Sequence, residues 1–321
     1  MAHITPSGLV GGEVPEERDE ARRAASLAAL DRGRLRSTPG LYRRAWRRFR
    51  QNHVAMVSLA ILTLIVLFVA GADAVSELTG FTSSENHLDK KLTRPFSDGY
   101  LLGADGNGRD ILTRLAYGGR VSLLIALLAT ATTMLIGVSL GLISGYFGGL
   151  IDAFIMRAVD VLLALPTLPL LILIATLYAP TPTGLALILA ATFWPGITRL
   201  IRGEVLTLRQ RDYVEAARVV GARPARVLAR HMLPNVTPIV IVWASLSVPD
   251  LILTEAALSF IGLGVRVPDP SWGNMLDEAA RFYRTAWTNV FIPGLMIYLA
   301  SLTMYLVGTG LRDALDPRLS D

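Results

Sequence analysis

The stretch RDYVEAARVVGARPARVLARHMLPN, residues 211–235, lies between two strongly apolar runs, about 184–201 and 236–262. It carries arginines at 211, 218, 223, 226 and 230, a single glycine (Gly221) and prolines at 224 and 234. Asp212 can cap a helix whose third residue is Glu215, an acidic variant of the capping box. The helix then covers 213–220, about 12 Å at 1.5 Å per residue. Gly221 follows where a left-handed C-terminal residue is expected. Pro224 suits the first turn of a second helix, because its missing N–H would be unpaired there. That helix is expected to reach about Leu233 and to stop at Pro234. Helices this short are marginal alone in water, so a partner or a neighbouring domain must hold them. Ala216 and Ala217 leave a low surface for another protein's groove, and Arg218, Arg226 and Arg230 offer charge to an acidic rim. The plainer alternative is a connector packed only on its own chain.

The surroundings of this segment fix the class. The chain has 321 residues, 52% of them hydrophobic, a high share for a water-soluble domain. Runs of roughly 20 apolar residues can cross a bilayer as helices. Six occur, near 54–71, 121–147, 155–178, 184–201, 236–262 and 290–310. An all-α polytopic membrane protein with six transmembrane helices is expected. There is no cysteine, which excludes disulfides, thiolate catalysis and cysteine metal sites. The four histidines are scattered without metal-ligand spacing, so no metal site is expected. The first apolar run begins only near residue 54 and reads as an anchor rather than a cleaved signal.

Positive charge then sets the orientation. With an inside N-terminus and six crossings, inside segments hold 22 of the 31 Lys and Arg residues: eleven before the first run, Arg157, eight from Arg199 to Arg230, Arg312 and Arg318. The positive-inside rule favours this arrangement, with both termini cytoplasmic. Residues 1–53 form a basic cytoplasmic segment, in which Trp46 and Phe49 of YRRAWRRFRQN (42–52) suit an interfacial helix on an anionic leaflet. Residues 1–38 are polar and alanine-rich, mobile or weakly helical. The first span covers 54–71 and an external loop 72–119. A five-helix core covers 120–311, with the cytoplasmic segment 203–235 inside it and a further external loop at 263–289. A short cytoplasmic tail closes the chain at 312–321.

The pattern EAARVVGARPARVLARHMLP resembles the cytoplasmic signature of permease subunits in binding-protein-dependent ABC importers. That signature is E-A-A, three residues, G, nine residues, an aliphatic residue, any residue, and L-P. Glu215, Ala216, Ala217, Gly221, Leu233 and Pro234 match, while His231 stands at the aliphatic position, as in the dipeptide/oligopeptide/nickel branch. WRRFRQNHVAMVSLAIL, LLGADGNGRDILTRLAYGGRVSLLI, DVLLALPTLPLLILI, EAALSFIGLGVRVPDPSWGNML and DALDPRLSD are similar to the C-type permease of that branch, so the likeness runs from about residue 42 onward. The resemblance implies a type I ABC importer transmembrane domain whose coupling helix seats in a cleft of an ATPase subunit. Tyr213, Glu215, Ala216, Ala217, Arg218, Gly221, Leu233 and Pro234 are the implied coupling residues. It further implies a homologous second permease, two ATPase subunits carrying ATP and Mg, an extracytoplasmic solute-binding protein and a bacterial or archaeal inner membrane. No nucleic acid is expected. A second E-A-A, Glu255–Ala257, has Ile261 in the glycine position and no L-P, so it lacks the signature.

A P-loop needs G-x-x-x-x-G-K-[ST]. The two lysines, Lys90 and Lys91, are not preceded by glycine. This chain therefore carries no Walker lysine, and no catalytic residue is expected in it. GADGNGRD (103–110) faintly resembles a calcium loop, but the EF-hand glutamate position is Ala116, and a structural external loop is the better reading. Gly137, Gly141 and Gly145 permit close helix packing, against the chain's own bundle or a partner. Ionisable residues within spans are functional candidates. Asp160 is read as structural; Asp250 and Glu255 are candidates for the translocation path, with a hydrogen-bonded structural role equally open. Prolines 166, 169, 195 and 249 should kink their spans. Peptides are the expected cargo, with nickel complexes, glutathione or oligosaccharides open. The competing class is a self-sufficient channel or secondary transporter, which needs no docking helix. An intramembrane enzyme lacks any Ser/His or His/Glu constellation.

Overall fold

The computed structural model describes residues 41–178 and 181–315. The expectation for 1–38, and most of the tail at 312–321, lie outside the described residues. The fold below is that of the compact unit Ala45–Asp321. The helices are α1 (Leu41–Gln51), α2 (His53–Ala70), α3 (Ala72–Thr79), α4 (Ile111–Phe147), α5 (Gly149–Ala164), α6 (Thr167–Tyr178), α7 (Pro182–Leu208), α8 (Asp212–Val219), α9 (Pro224–Val227), α10 (Leu233–Phe260), α11 (Trp272–Ala280) and α12 (Trp287–Leu315), with a π turn at Leu228–Met232. Among the described residues there is no β-strand, only the isolated bridges Ser97–Tyr100 and Ala104–Asp110.

Among the described residues, five continuous helical stretches are long and apolar enough to span a membrane: α2, α4, α7, Pro224–Phe260 and α12. The expected third span is not continuous. α5 and α6 meet at an angle of 91°, with Leu165 extended (φ −85°, ψ 137°) ahead of Pro166, as the clash with a following proline ring dictates. The two halves nonetheless make one crossing. Gly137, Gly141 and Gly145 of α4 lie against Ile197, Ile201 and Val205 of α7 in the same order, so these helices run parallel. A parallel pair needs a return traverse between Phe147 and Pro182, which makes six crossings.

The glycine ladder therefore serves the chain's own bundle. A Cβ at Gly141 would lie 2.8 Å from the carbonyl oxygen of Thr198, and one at Gly137 2.2 Å from Ile197 Cγ2. Thr198 Oγ1 also donates to the Gly137 carbonyl at 3.1 Å. Close backbone approach of this kind replaces the hydrophobic drive that lipid removes.

Polar caps punctuate the apolar rods. Asn52 accepts from Ala55 N at the start of α2, Asp110 from Thr113 N at the start of α4, and Ser271 forms a capping box with Asn274 at α11. Each side chain satisfies N–H groups a helix start leaves unpaired. α4 begins ten residues before its apolar run, inside the stretch expected as loop, because this cap sits at Asp110. The interfacial expectation for α1 divides between its two aromatics. Trp46 is 54% exposed, whereas Phe49 is 5% exposed and packs with Ala45, Ala55, Ala314 and Leu315.

Candidate functional site

The N-cap of α8 is Arg211, not Asp212, which is the first helical residue. The Arg211 carbonyl accepts from Val214 N and Glu215 N, and no side chain caps this end. Asp212 and Glu215 instead sit in the first turn, where negative charge suits the helix dipole. The C-terminal end matches the glycine expectation. Gly221 has φ +81°; its N–H bonds the Arg218 carbonyl, and Ala222 N bonds the Ala217 carbonyl. These two bonds form a Schellman motif, which a β-carbon at Gly221 would strain.

The motif presents Val219 and Val220 at 84% and 85% exposure, at the tip of a chain reversal. Glu215 and Ala216 are also exposed, Tyr213 partly so, and Ala217 and Arg218 are half-buried. Val214 is fully buried and belongs to the core formed by Met134, Leu142, Tyr146, Ile201, Val205, Val227 and Met232. The Arg218 guanidinium stacks over the Tyr146 ring at 4.7 Å, a cation–π contact at the end of α4. Beside α8, Leu206, Arg209, Gln210, Glu215, Arg218 and Val219 line an open groove of 740 Å³.

Pro234 does not stop the second helix. Pro224 to Phe260 is one continuous helical stretch of 37 residues, with the π turn inserted ahead of Leu233. Leu233 N bonds the Leu228 carbonyl, five residues back. The ladder thus shifts register just where proline lacks a donor, so its missing N–H leaves little gap. Leu233 and Pro234 are exposed on this turn. His231 brings its ring to 6.4 Å from that of Tyr213, which places the start of α8 beside the π turn.

The intramembrane acids separate by environment. Glu255 is fully buried; its Oε2 accepts from Ser122 Oγ at 2.9 Å and its Oε1 from Ser259 Oγ at 2.7 Å. Both serines also accept a backbone N–H, from Trp272 and Val265 respectively, so their protons are directed at the carboxylate. Asp250 lies on the exposed side of α10. Asp160 pairs with Arg199 at 2.5 Å, both half-exposed. A cluster the sequence reading missed joins three helices: Asp152 of α5 accepts from Arg202 Nε and Nη2 at 2.5 and 2.6 Å and from Ser144 Oγ at 2.5 Å. Asp152 and Arg202 fall just outside the apolar runs 155–178 and 184–201, so a criterion of ionisable residues within spans does not reach them.

At the opposite end, GADGNGRD is a salt-bridged loop. Asp105 accepts from Arg109 Nε at 2.7 Å, and its other oxygen accepts from the N–H groups of Asn107 and Arg109. Glu278 of α11 pairs with both Arg109 and Arg114. Burial, the largest influence, holds the Asp110 carboxyl above its ordinary range despite hydrogen bonds from Thr113. Asp73 of α3 is held below the usual carboxylate range by its hydrogen bonds from Arg120 and then Tyr117.

Comparison with known proteins matches the family described as binding-protein-dependent transport system inner membrane component over residues 137–321. The N-terminal TM domain of oligopeptide transport permease C matches residues 40–93. The oligopeptide transport system permease protein OppC of Haemophilus influenzae is 38% identical over 280 residues, 87% of this chain and 89% of that protein. The glutathione transport system permease protein GsiD of Pectobacterium atrosepticum is 37% identical over 299 residues, 93% and 98% of the two chains. The di/tripeptide transport system permease protein DppC of Pseudomonas aeruginosa is 39% identical over 288 residues, 88% and 94%. Among solved structures, a chain of the MetNI methionine ABC transporter in an inward-facing conformation superposes with a TM-score of 0.52 at 17% identity. That match covers 63% of this chain and 96% of the other, a likeness of fold.

Proposed function

Because this chain belongs to the binding-protein-dependent transport system inner membrane components, on their peptide-transporter branch, and is thus a multi-pass inner-membrane permease, we propose that it forms half of an ATP-driven import pathway and meets a separate ATPase through α8. A homologous permease supplies the other half. Two ATPases bind ATP and Mg on the cytoplasmic side, and a solute-binding protein delivers cargo from outside. The organisation follows the sequence reading: both termini and the segment 203–235 face the cytoplasm, and the loops at 72–119 and 263–289 face out. Dipeptides or oligopeptides are the cargo, with glutathione, nickel complexes or oligosaccharides as the neighbouring possibilities.

One observation carries the reading. α8 anchors a single fully buried side chain, Val214, while presenting Val219 and Val220 bare at a glycine-closed tip. Two apolar residues held in water at a rigid reversal suit a partner surface. Tyr213, Glu215, Ala216, Ala217, Arg218 and Gly221 are the coupling residues of this dock; Leu233 and Pro234 complete the set, exposed just past the π turn. Of the acids, Asp250 lies open enough to meet cargo, whereas Glu255 already has acceptor bonds on both oxygens.

The test is co-purification with the ATPase. Gly221→Val forces a β-branched residue to a positive φ at a cost of about 1–2 kcal/mol. It and Glu215→Ala should each lower ATPase recovery at least several-fold while the permease remains folded. Undiminished recovery, or solute flux through the chain alone, would favour the self-sufficient channel. Mass spectrometry of solute bound to the intact complex identifies the cargo.

A further inference from the structure

α5 is an apolar arm with little grip on its own chain. Leu150 and Phe154 are 90% and 79% exposed, and among the described residues only Val159 of this helix is fully buried. Its attachment to α7 is polar. Asp152 receives a two-pronged bond from Arg202, geometry that fixes orientation as well as distance, and Ser144 of α4 closes the third side. Two turns further on, Asp160 meets Arg199 through a single contact, both side chains more than half exposed on the chain surface.

The same corner touches α8. The α4–α5 turn at Gly148 and Gly149, both with positive φ, begins two residues after Tyr146, the ring on which Arg218 rests. Arg218 Nε is buried without a hydrogen-bond partner, so the ring contact sets the guanidinium position. α7 in turn runs into α8 through only three residues, 209–211. Force applied to α8 therefore meets α7 through the backbone and the α4–α5 corner through Arg218.

We propose that the Asp152–Arg202 pair makes α5 travel with α7 and α8 as one body, carrying movement of the docking helix into the bent third span. Asp152 and Arg202 are positioning residues for transport, and this rests on the reading of α8 as the ATPase dock. Without the pair, α7 would move and leave the arm behind.

The test uses the whole complex in lipid nanodiscs, with cysteine-free partner subunits. This chain has no cysteine of its own, so Phe154→Cys on α5 and Leu187→Cys on α7, both exposed, accept spin labels specifically. Trapping with ATP and vanadate should leave the α5–α7 distance distribution unchanged, while a control pair, Phe154→Cys with Leu64→Cys on α2, shifts. A shift in the α5–α7 distance with the ion pair intact overturns the proposal, and that measurement needs no disruptive substitution. Asp152→Asn should let the α5–α7 distance shift on trapping and lower uptake of a tritiated dipeptide about tenfold, within the usual range of coupling energies, with ATP hydrolysis largely retained. Unchanged uptake, or uptake and hydrolysis falling together, overturns it as well. Failure of the unsubstituted chain to bind ATPase at all is a different result and would remove the dock itself.

Discussion

A side chain at Gly141 has nowhere to go. Its first carbon would meet the Thr198 carbonyl oxygen and Ile201 Cβ, each at 2.8 Å, and neither can withdraw without moving α7. Gly141→Leu is therefore expected to destabilise the bundle by about 1–3 kcal/mol, the range for overpacked cores, read as a lowered Tm in detergent. Asp110 yields a prediction with a sign. Burial raises its folded pKa, so the fold favours the protonated form; that preference stabilises in acid and is lost as pH rises through the raised pKa. Asp110→Asn keeps the cap and removes the titration. It should raise Tm near neutral pH and lose that advantage below the ordinary carboxylate range. At this scale the sequence spoke where one residue has one physical use, as with Gly221, whose turn conformation was expected and found. It was silent about Asp152 and Arg202, fifty positions apart, since only the antiparallel course of α5 and α7 makes them neighbours.

α1 shows how an element can be half legible. Its amphipathic character is plain in YRRAWRRFRQN, but which aromatic faces outward depends on α12, whose residues are some 260 positions away. The structure seats Phe49 on that helix and leaves Trp46, Arg47 and Arg50 exposed, within an arc of about 100° at 3.6 residues per turn. The apolar helix α2 starts at His53, two residues after α1 ends, so this arc is expected at headgroup depth. Replacing Arg47 and Arg50 by glutamine should weaken retention of phosphatidylglycerol by roughly five-fold per arginine, from about 1 kcal/mol each, as measured by native mass spectrometry. Equal retention would make α1 a plain anchor. The boundary at Pro234 differs for a related reason: local propensity reads a proline as a stop, whereas the structure carries the helix through Pro234 on a widened turn and holds Pro238 and Pro249 inside the same helix.

For the whole molecule, hydropathy was the dependable guide. Six apolar runs correspond to six crossings, although the third breaks at Pro166 and most rods outrun their apolar stretch. Packing on α7, not composition, sets where α4 and its glycines sit. Purified alone and reconstituted in liposomes, the chain should neither hydrolyse ATP nor pass a tritiated dipeptide, because its only lysines, Lys90 and Lys91, belong to no phosphate-binding loop. ATP hydrolysis by the isolated chain would contradict the reading outright.

The rod from Pro224 to Phe260 has a consequence for how much movement a dock can deliver. Near its far end Glu255 is tied to α4 through Ser122, while its near end adjoins α8. If α8 is the dock proposed above, the helix is fixed at one end and driven at the other, as a pendulum is. The 31 positions between Glu255 and Pro224 give it an arm of at most about 47 Å at 1.5 Å per residue, less whatever the π turn and Pro234, Pro238 and Pro249 bend out of it. Each degree of swing then displaces the driven end by about 0.8 Å, and about 6° amounts to nearly the 5.4 Å pitch of one helical turn. A displacement of the size one ATPase cleft could impose would reach the Glu255 knot as a rotation of only a few degrees.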